Sequence, residues 1–522
     1  MAAVAARLRA LPFLSARTTS VALTATGLGL LALASLYLRT RFIGAAFWID
    51  EGLSVGIAQH ALADIPGLLQ QDGSPPLYYM TLHVWMNLFG STEQATQSLS
   101  LVFALLSVPA AYWAAGRVWG RRAAWFAAFL AALNPYLTGH GQETRMYALM
   151  SLLSILATGC FLRAYLLRDR RFVPLFALAL AAMLYTHNWG LFFAAIGVGI
   201  VLVLAWHETA ERRALIRDGL IGFGLAGLAY IPWIPTLVYQ SRHTAAPWSN
   251  EPGTYEPTRQ LSRVLGGYGP AMVLAFAAGL GIAAIWQKRD AIRERKLIAA
   301  CAALVVGIVL LAWIGSQVTP AWTNRYFAVV IGPLVLLGAG GVRHATRGVA
   351  IAATILLALF WFQPHEYGNS KASERTVMAN IGTLLEPGDL LISTHPERLP
   401  VLSYYGPEGL QYATTLGRVT DPGVMDWRDA LPRLQGARVD NTLEPLLDTV
   451  PVGGHVLIVR PVIRSDASWS APWTALVKRR SAQWDRALAA DERFGRIDVE
   501  PNRYGNVIEG VRAKLYTKIA EG

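Results

Sequence analysis

Residues 74–90 read SPPLYYMTLHVWMNLFG, and whether this stretch crosses a membrane decides the arrangement of everything after it. It is apolar, yet it carries Tyr78, Tyr79, His83 and Asn87 and opens on Ser74-Pro75-Pro76, a proline-marked helix entry. Longer apolar runs start near Ser20, Gln97, Ala123, Tyr147, Phe172, Leu191, Gly219, Ala271, Leu297, Tyr326 and Gly348. Each is close to the roughly 20 residues a membrane helix needs. Between them lie five basic loops. The first holds Arg117, Arg121 and Arg122, the second Arg168, Arg170 and Arg171, and the third Arg212, Arg213 and Arg217. The fourth runs from Lys288 through Arg289, Arg293 and Arg295 to Lys296, and the fifth holds Arg343 and Arg347.

With about eleven spans and residues 74–90 left out, all five loops share one side, which the positive-inside rule makes cytoplasmic. Counted as a span, residues 74–90 would put every later arginine loop outside. The stretch is therefore expected to be an interfacial helix on the outer face, with residues 53–69 as a second. Arg39 and Arg41 alone run against the rule.

Composition agrees with a membrane class. The 522 residues are 54% hydrophobic and 15% charged, with mean hydropathy +0.36; soluble domains carry about 25% charge. The net charge of +12 resides largely in the loops between spans, so it reports topology and no nucleic-acid partner is expected. Cys160 and Cys301 both lie inside apolar runs, where they read as small core residues, without disulfide or metal. The run from Ser20 to Leu38, preceded by Arg7, Arg9 and Arg17, is long enough to be an uncleaved first helix. From residue 363 charge rises and apolar runs shorten. Strand-like segments at 389–393, 456–459 and 511–517 alternate with helical patterns at 373–385 and 473–489. The expected division is a transmembrane catalytic domain over 1–362 and a soluble α/β domain over 363–522, the latter outside by the span count.

The same topology gathers the remaining polar islands on the outer face: Asp50-Glu51, residues 139–145, His187-Asn188, residues 241–267 and Asn324-Arg325. A carboxylate pair beside Phe47 and Trp48 at a membrane edge is costly to desolvate and points to chemistry or ion binding. Gly139-His140-Gly141-Gln142-Glu143-Thr144-Arg145-Met146-Tyr147 packs His140, Glu143, Arg145 and Tyr147 into one turn. His187 sits in a second turn, and Arg325-Tyr326 enters an apolar helix from outside. A carboxylate can take a hydroxyl proton as an anomeric bond breaks. Arginines and imidazole can stabilise a leaving lipid phosphate. Asp50, Glu51 and Glu143 are thus the candidate catalytic residues, and His140, Arg145, Tyr147, His187, Arg325 and Tyr326 the candidate substrate-binding ones.

The order of these motifs resembles the GT-C glycosyltransferases. A first helix is followed by Asp50-Glu51, a Pro75-Pro76-Leu77-Tyr78-Tyr79 helix and Gln142-Glu143-Thr144-Arg145-Met146-Tyr147. The resemblance covers residues 20–362 and is nearest to bacterial relatives of protein O-mannosyltransferases and lipid A aminoarabinose transferases. It implies a polyprenyl-phosphate sugar donor, inverting transfer without metal or cofactor, and the base role for Asp50. It also implies a multi-pass plasma-membrane protein whose acceptor, be it protein, lipid or glycan, stays open. The family usually has His-Pro-Pro where this chain has Ser74-Pro75-Pro76, so any role of that His is lost. A lipid or glycan transporter is the main alternative, and the confinement of polar groups to one face, without a repeat, counts against it.

Overall fold

The computed structural model describes residues 16–244, 246–362, 373–463, 469–497 and 510–521. Arg7, Arg9, the expected boundary at 362–363 and part of the loop 241–267 lie outside the described residues. All eleven apolar runs are helical. Among the described residues, eight helices are long and apolar enough to cross a membrane: Val21–Arg39, Glu93–Trp119, Tyr147–Leu166, Gly190–His207, Arg212–His243, Tyr268–Gln287, Ile292–Val318 and Asn324–His344. The other three, Arg121–Leu133, Phe172–Leu184 and Arg347–Trp361, have 13, 13 and 15 residues. At 1.5 Å per residue they reach only about 20–23 Å, short of the ~30 Å hydrocarbon core. Eleven spans is therefore not the helix count that length supports. In the first case the cause is local: Pro135 removes a backbone donor and restricts Asn134. The helix stops there, and the Asn134 side chain accepts from Leu137 N–H to start the six-residue helix Pro135–His140.

The basic loops are tied to one another at one end of the bundle. Arg163 donates to the Arg117 carbonyl, and Glu208 bridges Arg168 and Lys296. Arg343 donates to the Trp119 carbonyl, and Arg122 to that of Ala345. Asp218 meets both Arg170 and Arg217. All five loops thus share one face, as charge patterning predicts.

At the opposite end, residues 74–90 form the helix Leu77–Phe89, 13 residues long. The expected partner at 53–69 is instead two helices, Ile49–Ala58 and Ile65–Asp72, the second opened by Pro66. Ile49–Ala58 is not interfacial: Glu51 through Ala58 are all buried. It lies between Leu77–Phe89 and the C-terminal region, where a Cβ at Gly52 would meet Val401, and one at Gly56 the backbone of Gly423. Only the absence of a side chain allows so close an approach.

The described residues after 373 build a six-stranded mixed sheet from β1 (Leu390–Ser393), β2 (Gln411–Thr414), β3 (Gly417–Val419), β4 (His455–Pro461), β5 (Phe494–Ile497) and β6 (Val511–Lys518). The spatial order is β3-β2-β1-β4-β6-β5. β1 runs parallel to both neighbours, with Ile392 opposite Ala413 and Ile458. The other pairings are antiparallel. Alternation sends Leu391, Leu457 and Leu515 to one face, under Val377 and Leu402. Ile392, Val456 and Ile458 go to the other, under Trp484 and Leu488. Burial on both faces is why β1 reads as a continuous apolar run. The carboxyl end of β1, where the chain leaves for parallel neighbours on both sides, is where such sheets place ligand crevices. Here it delivers His395, Glu397 and Arg398 towards Asp50.

Candidate active site

Asp50 lies in the first turn of Ile49–Ala58, where the helix dipole favours a negative charge. Its side chain is 15% exposed, with Oδ2 3.1 Å from Arg325 Nη1 and 3.8 Å from Arg145 Nε. Arg145 is itself fixed. Its Nη1 donates to Ser54 Oγ (3.0 Å), Tyr79 OH (3.2 Å) and the Asp50 carbonyl (3.3 Å). Tyr79 in turn donates to Asp72 Oδ2 at 3.4 Å. The tyrosine of the Leu-Tyr-Tyr stretch is therefore the link between Arg145 and a second carboxylate. Burial raises the Asp72 carboxyl above its ordinary value of 3.8, against the pull of Arg145, so it keeps a proton to higher pH than a solvated aspartate. Arg325 is sandwiched between Trp48 and Trp248, with its guanidinium carbon 5.4 Å and 5.2 Å from the two ring centroids, a cation–π arrangement.

These groups line one cavity of about 290 Å³, to which Asp50, Asp72, Arg145, Arg325 and Tyr326 contribute from the N-terminal part. His395, Glu397, Arg398, Trp427 and Trp469 form the facing wall. His395 Nδ1 accepts from Arg398 Nε at 3.1 Å, which leaves the proton on Nε2, 2.9 Å from Glu397. Arg398 also pairs with the buried Glu374.

Of the nine sequence candidates, four line this cavity: Asp50, Arg145, Arg325 and Tyr326. Glu51 does not. It is fully buried, and its Oε1 accepts from Thr144 N–H (2.9 Å) and Gln97 Nε2 (3.1 Å). Oε2 receives the Trp48 amide at 3.3 Å, so Glu51 clamps the start of the Asp50 helix to the 139–145 turn rather than facing a substrate. Glu143 lies off the cavity lining, 3.0 Å from His140 Nδ1. His140, Tyr147 and His187 form a cluster of tilted rings with Tyr326, the His140–Tyr147 centroids 5.0 Å apart and the His187–Tyr326 centroids 4.6 Å apart. His187 Nδ1 accepts the Trp189 amide. Burial first, then Arg145 and Arg325, pushes its pKa down to about 3, so the ring is neutral at ordinary pH. Sequence reasoning missed Trp48 and Trp248, Asp72, and the whole His395–Glu397 wall. Asp72 carried a signal, being the only acid between Asp64 and the Ser-Pro-Pro entry. Among the described residues no group of three or more His, Cys, Asp or Glu is placed to hold a metal.

The fold is similar to those of ArnT, an arabinofuranosyltransferase and an archaeal oligosaccharyltransferase. Among solved structures, ArnT from Cupriavidus metallidurans superposes with TM-score 0.54 at 15% identity over 97% of this chain and 100% of its own, both apo and bound to undecaprenyl phosphate. The mycobacterial arabinofuranosyltransferase AftD gives 0.55 at 15% identity, over 95% of this chain and 40% of AftD. The Archaeoglobus fulgidus oligosaccharyltransferase, in complex with Zn and sulfate, gives 0.50 at 13% identity, over 83% and 67%. At the level of sequence, no family model and no curated relative matches.

Proposed function

We propose that this protein is a multi-pass plasma-membrane glycosyltransferase that moves a sugar from a polyprenyl-phosphate donor to an acceptor hydroxyl on the extracytoplasmic side. Asp50 is the general base, and residues 363–522 form a soluble domain on that same side. The observation that carries the proposal is the position of Asp50. A single carboxylate is shared by two arginines in a cavity at the end of the bundle away from the basic loops. The resemblance to GT-C enzymes and the undecaprenyl phosphate bound to ArnT support the choice of donor.

The chemistry follows from competition for Arg325. The Arg325 guanidinium faces Asp50. A donor phosphate entering from the bilayer offers oxygens that the planar fork can grip with two donors. As Arg325 turns to the phosphate, with Arg145 adding its charge from its fixed position, Asp50 is freed to accept the acceptor proton. The acceptor oxygen attacks the anomeric carbon opposite the phosphate. The carbon–oxygen bond to phosphate breaks, the electron pair leaves with the lipid phosphate, and the configuration inverts. The arginines stabilise the charge that develops there. Neutral His187 and the rings around it keep Tyr326 and Arg325 in place without adding charge. The test is mass spectrometry of cell-envelope glycans and glycoproteins from cells lacking the gene, complemented with wild type or Asp50→Asn. A glycan lost with the gene and restored only by wild type supports the proposal; an unchanged envelope opposes it.

A further inference from the structure

At the other end of the bundle, among the basic loops, lies a second cavity of about 440 Å³. Two helix stripes flank it. Helix Arg121–Leu133 presents Arg122, Trp125 and Phe129, and helix Arg347–Trp361 presents Arg347, Ile351 and Ile355. Within each helix these positions recur every three or four residues, which puts them on one face. Both stripes run from an arginine at the helix start into apolar side chains. Val342 and Arg343 form the back wall, and Phe129 stacked on Trp361 at 5.9 Å lies deeper between the two helices.

The three arginines differ from their neighbours. Arg168, Arg170 and Lys296, at the same end, are neutralised by Glu208 and Asp218. Arg122 and Arg343 instead donate to main-chain carbonyls at helix ends, those of Ala345 and Trp119. Such bonds hold the side chains in place but leave their positive charge unbalanced. None of the three is ion-paired with a carboxylate among the described residues. Ile351 and Ile355 are 60% and 54% exposed, so the apolar wall opens sideways into hydrocarbon. The two flanking helices are also two of the three short ones, 13 and 15 residues, which leaves a gap that protein does not fill.

An apolar trough open to lipid, ending in three uncompensated arginines, matches one kind of molecule: an amphiphile with acyl chains and a negative head. We propose that this groove is a binding site for an anionic phospholipid of the leaflet opposite the active site. The lipid fills the gap between helices Arg121–Leu133 and Arg347–Trp361 and neutralises Arg122, Arg343 and Arg347. The site is separate from the Asp50 cavity and does not depend on the reaction performed there.

The test uses the full chain, purified in a non-ionic detergent and examined by native mass spectrometry with dioleoyl-phosphatidylglycerol and dioleoyl-phosphatidylcholine as probes. The chains are identical, so any preference comes from the head. Wild type is expected to retain phosphatidylglycerol in clear preference. Arg347→Gln should lower that retention roughly fivefold, the effect of one basic residue near an anionic headgroup, while leaving phosphatidylcholine unchanged. Ala350→Phe, which fills the trough without touching charge, should lower retention of both lipids. Equal retention of the two lipids by wild type overturns the proposal, even if a variant fails to fold. Undiminished phosphatidylglycerol retention in folded Arg347→Gln also overturns it, by assigning the preference to other basic loops.

Discussion

Asp50 Oδ2 and Arg325 Nη1 meet at 3.1 Å, inside a cavity that also holds Arg145. The proposed base and the proposed phosphate ligand are therefore each other's partner, and the effects of changing them are linked. Asp50→Asn keeps the shape and removes the basicity. Transfer is expected to fall at least about a hundredfold, while undecaprenyl phosphate binds as well as to wild type or better, because Arg325 is no longer engaged. Binding measured on the purified variant checks the second half. Weakened binding with full turnover would assign Asp50 to structure.

Arg325 and Arg145 are expected to separate. Arg325 is held by one carboxylate and two indole faces, so Arg325→Lys keeps the charge, loses the fork and weakens donor binding, and Arg325→Ala weakens it further with the fold intact. Arg145 additionally bonds Ser54, Tyr79 and the Asp50 carbonyl. Arg145→Ala should lower the melting temperature as well as donor affinity. Equal melting temperatures for the two alanine variants would contradict this division.

Glu51 gives the opposite profile. Its carboxylate receives the Thr144 amide, Gln97 and the Trp48 amide. Glu51→Gln cannot accept on both atoms, leaves a buried donor without a partner, and should cost about 1–3 kcal/mol of stability. Turnover of the fraction that remains folded should fall far less than for Asp50→Asn. Chemical denaturation and single-turnover rates together distinguish the two roles.

The pH dependence of stability has a definite sign at His187. Its folded pKa is lowered to about 3, against about 6.5 in an unfolded chain. The unfolded state therefore binds the extra proton first, and stability falls as pH drops below about 6.5 and on towards the folded value. His187→Gln, which does not titrate, should flatten this part of the melting-temperature profile between pH 6.5 and 4. An unchanged acid slope would place the titrating group elsewhere.

How much of this was legible depended on range. Local pattern sufficed for the eleven helices, the single face of the basic loops, and β1, β4 and β6, because apolar periodicity and charge are properties of consecutive residues. The edge strands Gly417–Val419 and Phe494–Ile497 escaped because they are short and half exposed. Asp50, Arg145 and Arg325 could be placed on one face by topology alone. Glu51 could not be told from Asp50, since only tertiary contacts with Gln97 and Thr144 reveal which carboxylate is saturated. His395 and Glu397 gave no signal, because their meaning lies in a contact with residues more than 300 positions earlier.

That long-range contact yields the last prediction. The helix carrying Asp50 is seated on the C-terminal region through two glycines, and a Cβ at Gly56 would come within 2.0 Å of the Gly423 carbonyl oxygen. The obstacle is main chain on both sides, so no side-chain rotation relieves it. Gly56→Ala must push helix Ile49–Ala58 away from residues 421–424, at a cost of about 1–3 kcal/mol for overpacking. The same displacement separates Asp50 from the His395–Glu397 wall, since the helix moves as a rigid unit. Transfer is therefore expected to drop severalfold or more in Gly56→Ala although the residue touches no substrate, and donor binding should change less, because Arg325 lies on a different helix. Gly67→Ala is the control, with nothing within 4 Å of its added Cβ. If Gly56→Ala and Gly67→Ala behave alike in melting temperature and transfer, the contact at Gly423 does not set the position of Asp50.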